Sequence, residues 1–474
     1  MTLRTQKSDT LVVVVRVDPA GLSRMLGDWS QPAQALPESL ASALLDLIDA
    51  GFLPAGAILP SQRTCAATFQ VSRQTVAEAF GILEAAGHIA ALVGSGTRVR
   101  SGRAAVTTDG RLSSFSDTTS KMIDLSTGAL PASSIARKVL AEAPVGMDEY
   151  FDTDGYFPAG LPVLREVIAN RLTQDGLPTT PQQVMVTNGA QHACHLATQL
   201  LVSPGDTVLV EEPTYRGELE ELRLAGARVE TVPLTATTVD PDLLERGLAR
   251  GPAMLHCQTT IHNPTGLTMS SDHRIALASL VDRYGVPVVE DCCSYDLTRS
   301  GIPAPMLARQ ASDDLVITLG TLSKLFWGGL RIGWLRASPT RVRQLVERRK
   351  ADDLASPIST QLVAVSLMGY VEDARRERRE LLRVGREVTC RTVSDLFPSW
   401  TWFRPQDGTG LWVDTHTDSQ ALAEAAKRLG IRLAPGPGYS AYDGQRTMLR
   451  LPVWHEPEEI VNALRMLQRV AVGR

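Results

Sequence analysis

In the first hundred residues, apolar positions recur first at helical spacing and then with the alternation of short strands. Over "ESLASALLDLIDAG", Leu40, Ala43, Leu44, Leu47 and Ile48 return at steps of three and four. That spacing predicts a helix running from Leu36, with Gly51 at its close. The loop "FLPAGAILPSQR" follows, and Ser61 is placed to cap a helix over "QRTCAATFQ". In "VSRQTVAEAFGILEAAG", Ser72 is a second cap, Val76, Phe80 and Leu83 make the buried stripe, and Gly87 ends the element. "HIAALVGSGTRVR" then reads as a strand, a glycine turn at Gly94, Ser95 and Gly96, and a second strand. Upstream, "TLVVVVRV" reads as a short strand within an N-terminal segment, residues 1–20.

Residues 101–121, "SGRAAVTTDGRLSSFSDTTSK", are rich in Ser, Thr and Gly without periodicity, and are expected to be a flexible linker. From Met122 short apolar runs ending in polar residues alternate with helical patterns. The runs are "QQVMVTNG", "DTVLVEEPTY", "ARVETVPL", "PAMLHCQTTIHNPTG", "VPVVEDCCSY" and "DLVITLGTLSK". Such alternation predicts an α/β domain with a mostly parallel sheet covered by helices on both faces. Ligands on such sheets collect at the carboxyl ends of the strands. The polar residues there are Gly189, Ala190, Gln191, Tyr215, Asn263, Asp291 and Lys324. The expected division is therefore 1–20, a reader at 21–100, a linker at 101–121 and a large domain at 122–474.

Composition narrows the function classes. With 474 residues, 43% hydrophobic and 21% charged, the chain has the make-up of a globular protein of two or three domains. A formal net charge of -4 gives no global attraction to nucleic acid, so any DNA contact must come from a local patch. No apolar run approaches about 18 residues, so no membrane-spanning helix is expected. The five-residue apolar stretch Leu11–Val15 has charged flanks and no cleavage site after it, unlike a secretory signal. Six cysteines without framework spacing lead us to expect a reduced, cytoplasmic protein.

Two short helices joined by a tight turn, the second opening on "SRQT", suit a helix-turn-helix. Arg73, Gln74 and Thr75 would meet the major groove, and the glycine-turned strand pair would be a wing. A small helical domain with ordinary caps is the alternative on residue types alone. Residues 21–100 hold five arginines, no lysine and six acids. Four of the arginines fall at the helix starts and wing, whereas four of the acids precede Pro60. The set "LPSQR", "VSRQTV", "AFGILEAAGHI", "GSGTRV", in that order and spacing, closely resembles the winged helix-turn-helix of GntR-type bacterial regulators. The resemblance implies that Ser61, Arg63, Ser72, Arg73, Gln74 and Thr75 face double-stranded DNA, with Gly96 and Thr97 at the wing tip.

Each strand-end residue of the large domain is ordinary alone, but together they have one chemical logic. A lysine amine condenses with an aldehyde to a Schiff base, and Lys324 is the candidate. A phosphorylated aldehyde needs donors, which the glycine turn at Gly189-Ala190-Gln191, Thr321, Ser323 and Arg331 provide. Asp291 would keep a pyridine nitrogen protonated, Asn263 would donate to a ring oxygen, and Tyr215 would stack on the ring. This is the chemistry of pyridoxal 5'-phosphate. The order "TNGAQ", "EEPTY", "HNPTG", "VVED", "TLSK", "GLRIGW" resembles the fold type I, class I aminotransferases over residues 122–474. "GTGLWVD", "LAPGPGYS" and "MLRLP" resemble that family's small C-terminal α+β subdomain. The resemblance implies a homodimer, Arg450 as the receiver of an effector carboxylate, and Tyr156 as a candidate to reach the other subunit's phosphate. Tyr156 lies one residue out of the commonest register. The sequence also departs from the family after Asp291. The usual ring-oxygen tyrosine is replaced by Cys293 and Ser294, with Tyr295 as the nearest substitute.

A GntR-like reader joined to such a domain resembles the MocR/GabR type of bacterial transcription regulator. The resemblance implies a regulator that senses an amino acid, an amine or a B6 vitamer through an aldimine at Lys324; physiological turnover is not expected, and weak transamination half-reactions stay open. An active aminotransferase with a vestigial DNA-binding segment is the alternative. No metal is implied.

Overall fold

The computed structural model describes residues 17–27, 29–30, 35–49, 53, 57–85, 88–92, 96–99, 122–142, 146–235, 238–402, 407–442 and 444–471. Residues 10–16 of the strand expected over "TLVVVVRV", the linker 101–121, the closing glycines Gly51 and Gly87, and Gly94 and Ser95 of the turn lie outside the described residues. The chain forms two compact units, Met1–Gly102 and Arg103–Arg474.

The first unit contains four helices among its described residues: α1 (Pro19–Leu26), α2 (Leu36–Asp49), α3 (Gln62–Phe69) and α4 (Arg73–Ala85). Helix α1 is an addition to the sequence reading. Its signals are an Asp18 side chain accepting from Gly21 N, proline in the first turn, and buried Leu22 and Leu26 four residues apart. That is too short a run for its periodicity to stand out. Between α3 and α4 the chain reverses through Gln70, which takes the left-handed conformation (φ 59°). Leu22, Leu40, Leu44, Cys65, Val76, Phe80 and Leu83 pack into one core. Strands β1 (Ile89–Leu92) and β2 (Gly96–Val99) pair antiparallel, Ile89 opposite Val99, and form the expected wing.

The second unit opens with β3 (Ile123–Asp124). Its main sheet contains β4 (Val184–Thr187), β5 (Thr207–Glu212), β6 (Arg228–Pro233), β7 (Met254–Cys257), β8 (Val288–Asp291), β9 (Val316–Thr321) and β10 (Gly333–Arg336). The strand order is β4-β10-β9-β8-β7-β5-β6. Only β10 runs antiparallel to its neighbours, so the other strands deliver their carboxyl ends to one edge. The six apolar runs read from the sequence are strands. The antiparallel β10, which starts on the last two residues of "GLRIGW", is an addition to the sequence reading, because its four residues carry no alternation.

Helices α5 (Ser134–Leu140) and α6 (Pro162–Gln174) precede the sheet, and α7 (Ala190–Leu201) follows β4 directly. Next come α8 (Arg216–Leu224), α9 (Pro241–Ala249), α10 (Ser271–Tyr284), α11 (Pro339–Asp352) and α12 (Ile358–Met368). The sheet separates two apolar clusters: Leu209, Leu255 and Val288 lie in one, and Val208, Met254 and Val289 in the other. Successive residues of one strand thus face opposite layers. The long α13 (Val371–Leu396) leads to a second sheet with β11 (Thr401–Trp402), β12 (Gly410–Asp414), β13 (Ile431–Arg432), β14 (Ala434–Pro435) and β15 (Met448–Pro452) nearby. That sheet has the order β11-β12-β15-β14, while β13 pairs with β3. Helices α14 (Ser419–Lys427) and α15 (Pro457–Ala471) complete the expected small α+β subdomain.

Candidate functional site

In the first unit the helix expected to read DNA is α4. Ser61 Oγ accepts the Thr64 N–H at 3.1 Å and Ser72 Oγ accepts the Thr75 N–H at 3.0 Å, so each serine opens a helix. Arg63, Arg73 and Gln74 are exposed and Thr75 is half-buried. The Gln74 amide donates to Glu78 on its own helix at 2.9 Å. Gly96 holds φ +84° at the start of β2, beside a half-buried Thr97.

In the second unit Lys324 follows the buried end of β9. Thr321 Oγ1 lies 3.0 Å from both Ser323 Oγ and the Ile332 carbonyl oxygen and accepts the Ser323 N–H. Those bonds close the turn that projects Lys324. The lysine amine donates to the Gly128 carbonyl at 2.9 Å. Burial, then the nearby positive charge of Arg450, brings its pKa down from 10.5 to about 8, although Cys293 and Asp291 pull the other way. From α13, the buried Arg378 donates to the carbonyls of Leu325 (2.8 Å), Phe326 (2.7 Å) and Pro131 (2.7 Å). This arginine fastens the backbone just after Lys324.

Arg331 adopts a left-handed backbone conformation (φ 52°), and its guanidinium donates to the Asn188 carbonyl at 2.7 Å. Gly189, at φ +84°, lies directly below: a β-carbon there would sit 2.9 Å from Arg331 Nη2. The first turn of α7 therefore stands beside an exposed arginine, with no side chain capping its N–H groups. Ala190 and Gln191 form that first turn, and Gln191 accepts the Tyr215 hydroxyl at 3.1 Å.

Asp291 is the last residue of β8, 8% exposed, and accepts the Cys293 N–H at 2.8 Å. Burial, then the Asp291 charge, holds the Cys293 thiol protonated well above its ordinary range. Tyr295 does not take up a place beside Lys324. It is buried against Arg375, 5.9 Å from its ring centre, and the acids around its phenol are Asp175 and Asp296. The charge cluster Arg171–Asp175–Asp296–Arg375 holds it there. Asn263 has a buried side-chain oxygen without a partner. Tyr156 is 58% exposed on the loop before α6, apart from this group.

Arg450 on β15 is 3% exposed. Nη2 donates to Thr409 Oγ1 at 2.7 Å, whereas Nε and Nη1 are buried without a hydrogen-bond partner. Gly128 and Gly410 make room for it, since a β-carbon on either would lie 2.8 Å from the guanidinium. Arg216, whose guanidinium is 5.8 Å from the Tyr439 ring centre, adds to the positive charge felt by Lys324. The sequence reading missed Gly128, Arg216 and Tyr439. Arg216 had a signal, its place beside Tyr215, Tyr439 lay within "LAPGPGYS", and Gly128 had none.

The strand ends thus gather a deprotonatable amine, a buried carboxylate, an uncapped helix start with an adjacent arginine, and a second arginine with unfilled donors. The unfilled Arg450 donors and the side-chain-free seat at Gly189 fit a phosphorylated aldehyde cofactor together with a carboxylate ligand.

Comparison with known proteins gives this arrangement its class. Residues 120–467 match the aminotransferase class I and II family, and residues 36–99 match the gntR family of bacterial regulatory proteins. The chain belongs to the aminotransferase class I and II family, with a GntR-type DNA-binding domain in front of it. An uncharacterized HTH-type transcriptional regulator, YisV of Bacillus subtilis, is 28% identical over 467 residues, covering 90% of this chain and 94% of its own. Aromatic-amino-acid aminotransferase 1 of Thermococcus litoralis is 28% identical over 361 residues, covering 72% and 85%. Among solved structures, the α-aminoadipate aminotransferase LysN of Thermus thermophilus shares 27% identity at TM-score 0.69, covering 74% of this chain and 92% of its own. That structure holds N-(5'-phosphopyridoxyl)-L-leucine. The cofactor of the large domain is pyridoxal phosphate. Among the described residues no helix is long and apolar enough to cross a membrane.

Proposed function

We propose that the protein is a cytoplasmic, homodimeric transcriptional regulator whose large domain senses a small amine, amino acid or B6 vitamer at Lys324. The observation that carries this reading is the coexistence in one chain of a well-capped reading helix and an intact Lys324–Asp291–Arg331 set. When bound, pyridoxal phosphate supplies an aldehyde for an amine and an electron-withdrawing ring. Lys324 would hold the aldehyde, and Asp291 would pair with the ring nitrogen. The first turn of α7 (Gly189, Ala190, Gln191), Thr321, Ser323 and Arg331 would hold the phosphate. Tyr215 and Asn263 would contact the ring, and the free donors of Arg450 would orient an effector carboxylate. Tyr156 would reach the partner subunit's phosphate. An effector that displaces the Lys324 amine changes contacts at the turn fastened by Arg378, which gives it different affinity for two arrangements of the protein. Cys293 and Ser294, in place of a ring-oxygen tyrosine, favour sensing over turnover.

The test is a mobility-shift titration with the DNA upstream of the protein's own gene, with and without amines, beside an assay for keto acid. Effector-dependent affinity without sustained keto-acid formation is the expected result. Arg73→Ala is expected to weaken operator binding about tenfold, the scale of one lost base or phosphate contact. The second reading, an active aminotransferase, draws support from the low pKa of Lys324 and the complete donor set. Many turnovers with no operator binding would establish it.

The Lys324 amine loses its proton near pH 8 rather than 10.5, so the free base predominates from mildly alkaline pH upward. The rate at which apo-protein recaptures pyridoxal phosphate, followed by visible absorbance, is expected to rise with pH to a midpoint near 8. Arg450→Met removes a charge that disfavours the ammonium form, so its midpoint is expected to move upward.

A further inference from the structure

We propose that the cleft between helix α13 and the loops that follow β7 and β8 is a second ligand site, separate from the one around Lys324. It would take a small organic polyanion, a polycarboxylate or a phosphate ester. The cleft has a volume of about 650 Å³, and Ile261, Tyr295, Arg299, Ile302, Arg379 and Asp407 are among the residues lining it. That size suits a metabolite. None of Lys324, Asp291, Arg331 or Arg450 lines it.

The charge of the cleft is not balanced from within. Arg299, Arg379 and Arg383 line it, against the single acid Asp407. Arg383 is held by Glu380 at 2.7 and 2.9 Å, so its charge is answered. Asp407 accepts the Arg299 backbone N–H at 2.6 Å and the Thr268 hydroxyl at 3.1 Å. Among the described residues neither the Arg299 nor the Arg379 side chain forms an ion pair, and Arg379 Nε is buried without a partner. Arg386, after its own burial, is pushed to a lower pKa by the charge of Arg299, while Asp407 and Cys390 pull the other way. Its Nε is likewise without a partner, while Nη2 is bonded to the Gly408 carbonyl at 2.8 Å. Gly301 provides the seat for Arg379: a β-carbon there would lie 2.5 Å from Nη2.

An exposed Arg299 and a half-buried Arg379, neither in an ion pair among the described residues, with an apolar wall of Ile261, Tyr295 and Ile302, suit a compact anion with a carbon body. The two walls of the cleft have separate roles in the fold. One is the chain leaving Asp291, and the other is the helix whose Arg378 fastens the Lys324 turn. A bound polyanion would tie them together.

The experiment is titration calorimetry of the full-length, cofactor-loaded protein with citrate and with phosphoenolpyruvate, in wild type, Arg299→Gln, Arg379→Met and Arg450→Met. At least one probe is expected to bind one per chain without altering the visible absorbance of the cofactor. Affinity should fall at least tenfold in both Arg299→Gln and Arg379→Met and persist in Arg450→Met. If Arg379→Met does not fold, Arg299→Gln decides the matter alone. The proposal is overturned if neither probe binds. It is also overturned if binding survives the cleft substitutions, including the case in which Arg450→Met removes it, since the anion then sits at the effector position.

Discussion

Lys324→Ala protein is expected to purify without the visible absorbance of bound pyridoxal phosphate, and its operator affinity to be indifferent to every amine tested. The lysine is the one amine placed by β9 at the shared carboxyl edge of the sheet. Among the described residues its amine makes a single hydrogen bond, to the Gly128 carbonyl. Its removal deletes the covalent anchor while leaving the phosphate donors intact. Residual cofactor binding is therefore expected to be weak and reversible, removable by dialysis. Folding should be unaffected, since truncating a partly buried lysine breaks no ion pair and a single hydrogen bond. The measurement is an absorbance spectrum followed by operator titration with and without effector. A mutant that still responds to the effector would sink the sensing assignment, and would leave the large domain as scaffold.

Arg349→Met is expected to have the largest effect on stability. Arg349 is fully buried and donates to Asp353 at 2.7 and 3.2 Å, to Ser356 at 2.8 Å, and to the carbonyls of Pro158 (3.0 Å) and Val186. Asp353 in turn receives the Asn188 side-chain amide, and the Asn188 carbonyl receives Arg331. Methionine fills much of the volume but takes the guanidinium donors from two carbonyls, from Ser356 and from Asp353, which keeps the Asn188 amide. Stranding such a network costs about 3 kcal/mol. For a unit of this size that corresponds to a fall of roughly 4 °C in the unfolding temperature. Because the network ends on Arg331, cofactor affinity is expected to fall as well, although Arg349 touches none of the cofactor-binding residues named above. Thermal unfolding and cofactor titration check both halves. An unchanged unfolding temperature would mean that water replaces the lost donors.

Much of this was legible in the chain, and the reason is local. Caps such as Ser61 and Ser72 act within three residues, so a serine before an apolar stripe announces a helix start. Short apolar runs closing on Asp291 or on "TLSK" reveal buried parallel strands and the residues at their ends. The turn before Lys324 is largely local, made by Thr321 and Ser323, with one bond from Thr321 to the Ile332 carbonyl eleven residues on. Helix α1 and strand β10 escaped notice because eight and four residues carry too little periodicity to be read.

What depended on long-range packing could not be read. Tyr295 was a plausible neighbour for the ring because it lies four residues after Asp291. Its direction is decided by Arg375 and Asp175, which come from distant helices and form a charge cluster around it. Likewise Gly128 meets Lys324 across 196 positions of sequence, and Arg349 reaches Val186 across 163. The sequence by itself determined the elements, the order of the strand ends and the chemical types they carry, since these follow from periodicity and from residue chemistry. Only the tertiary structure decided which groups share a cavity and which are left with unfilled donors, because the sheet order and the helix packing set those distances.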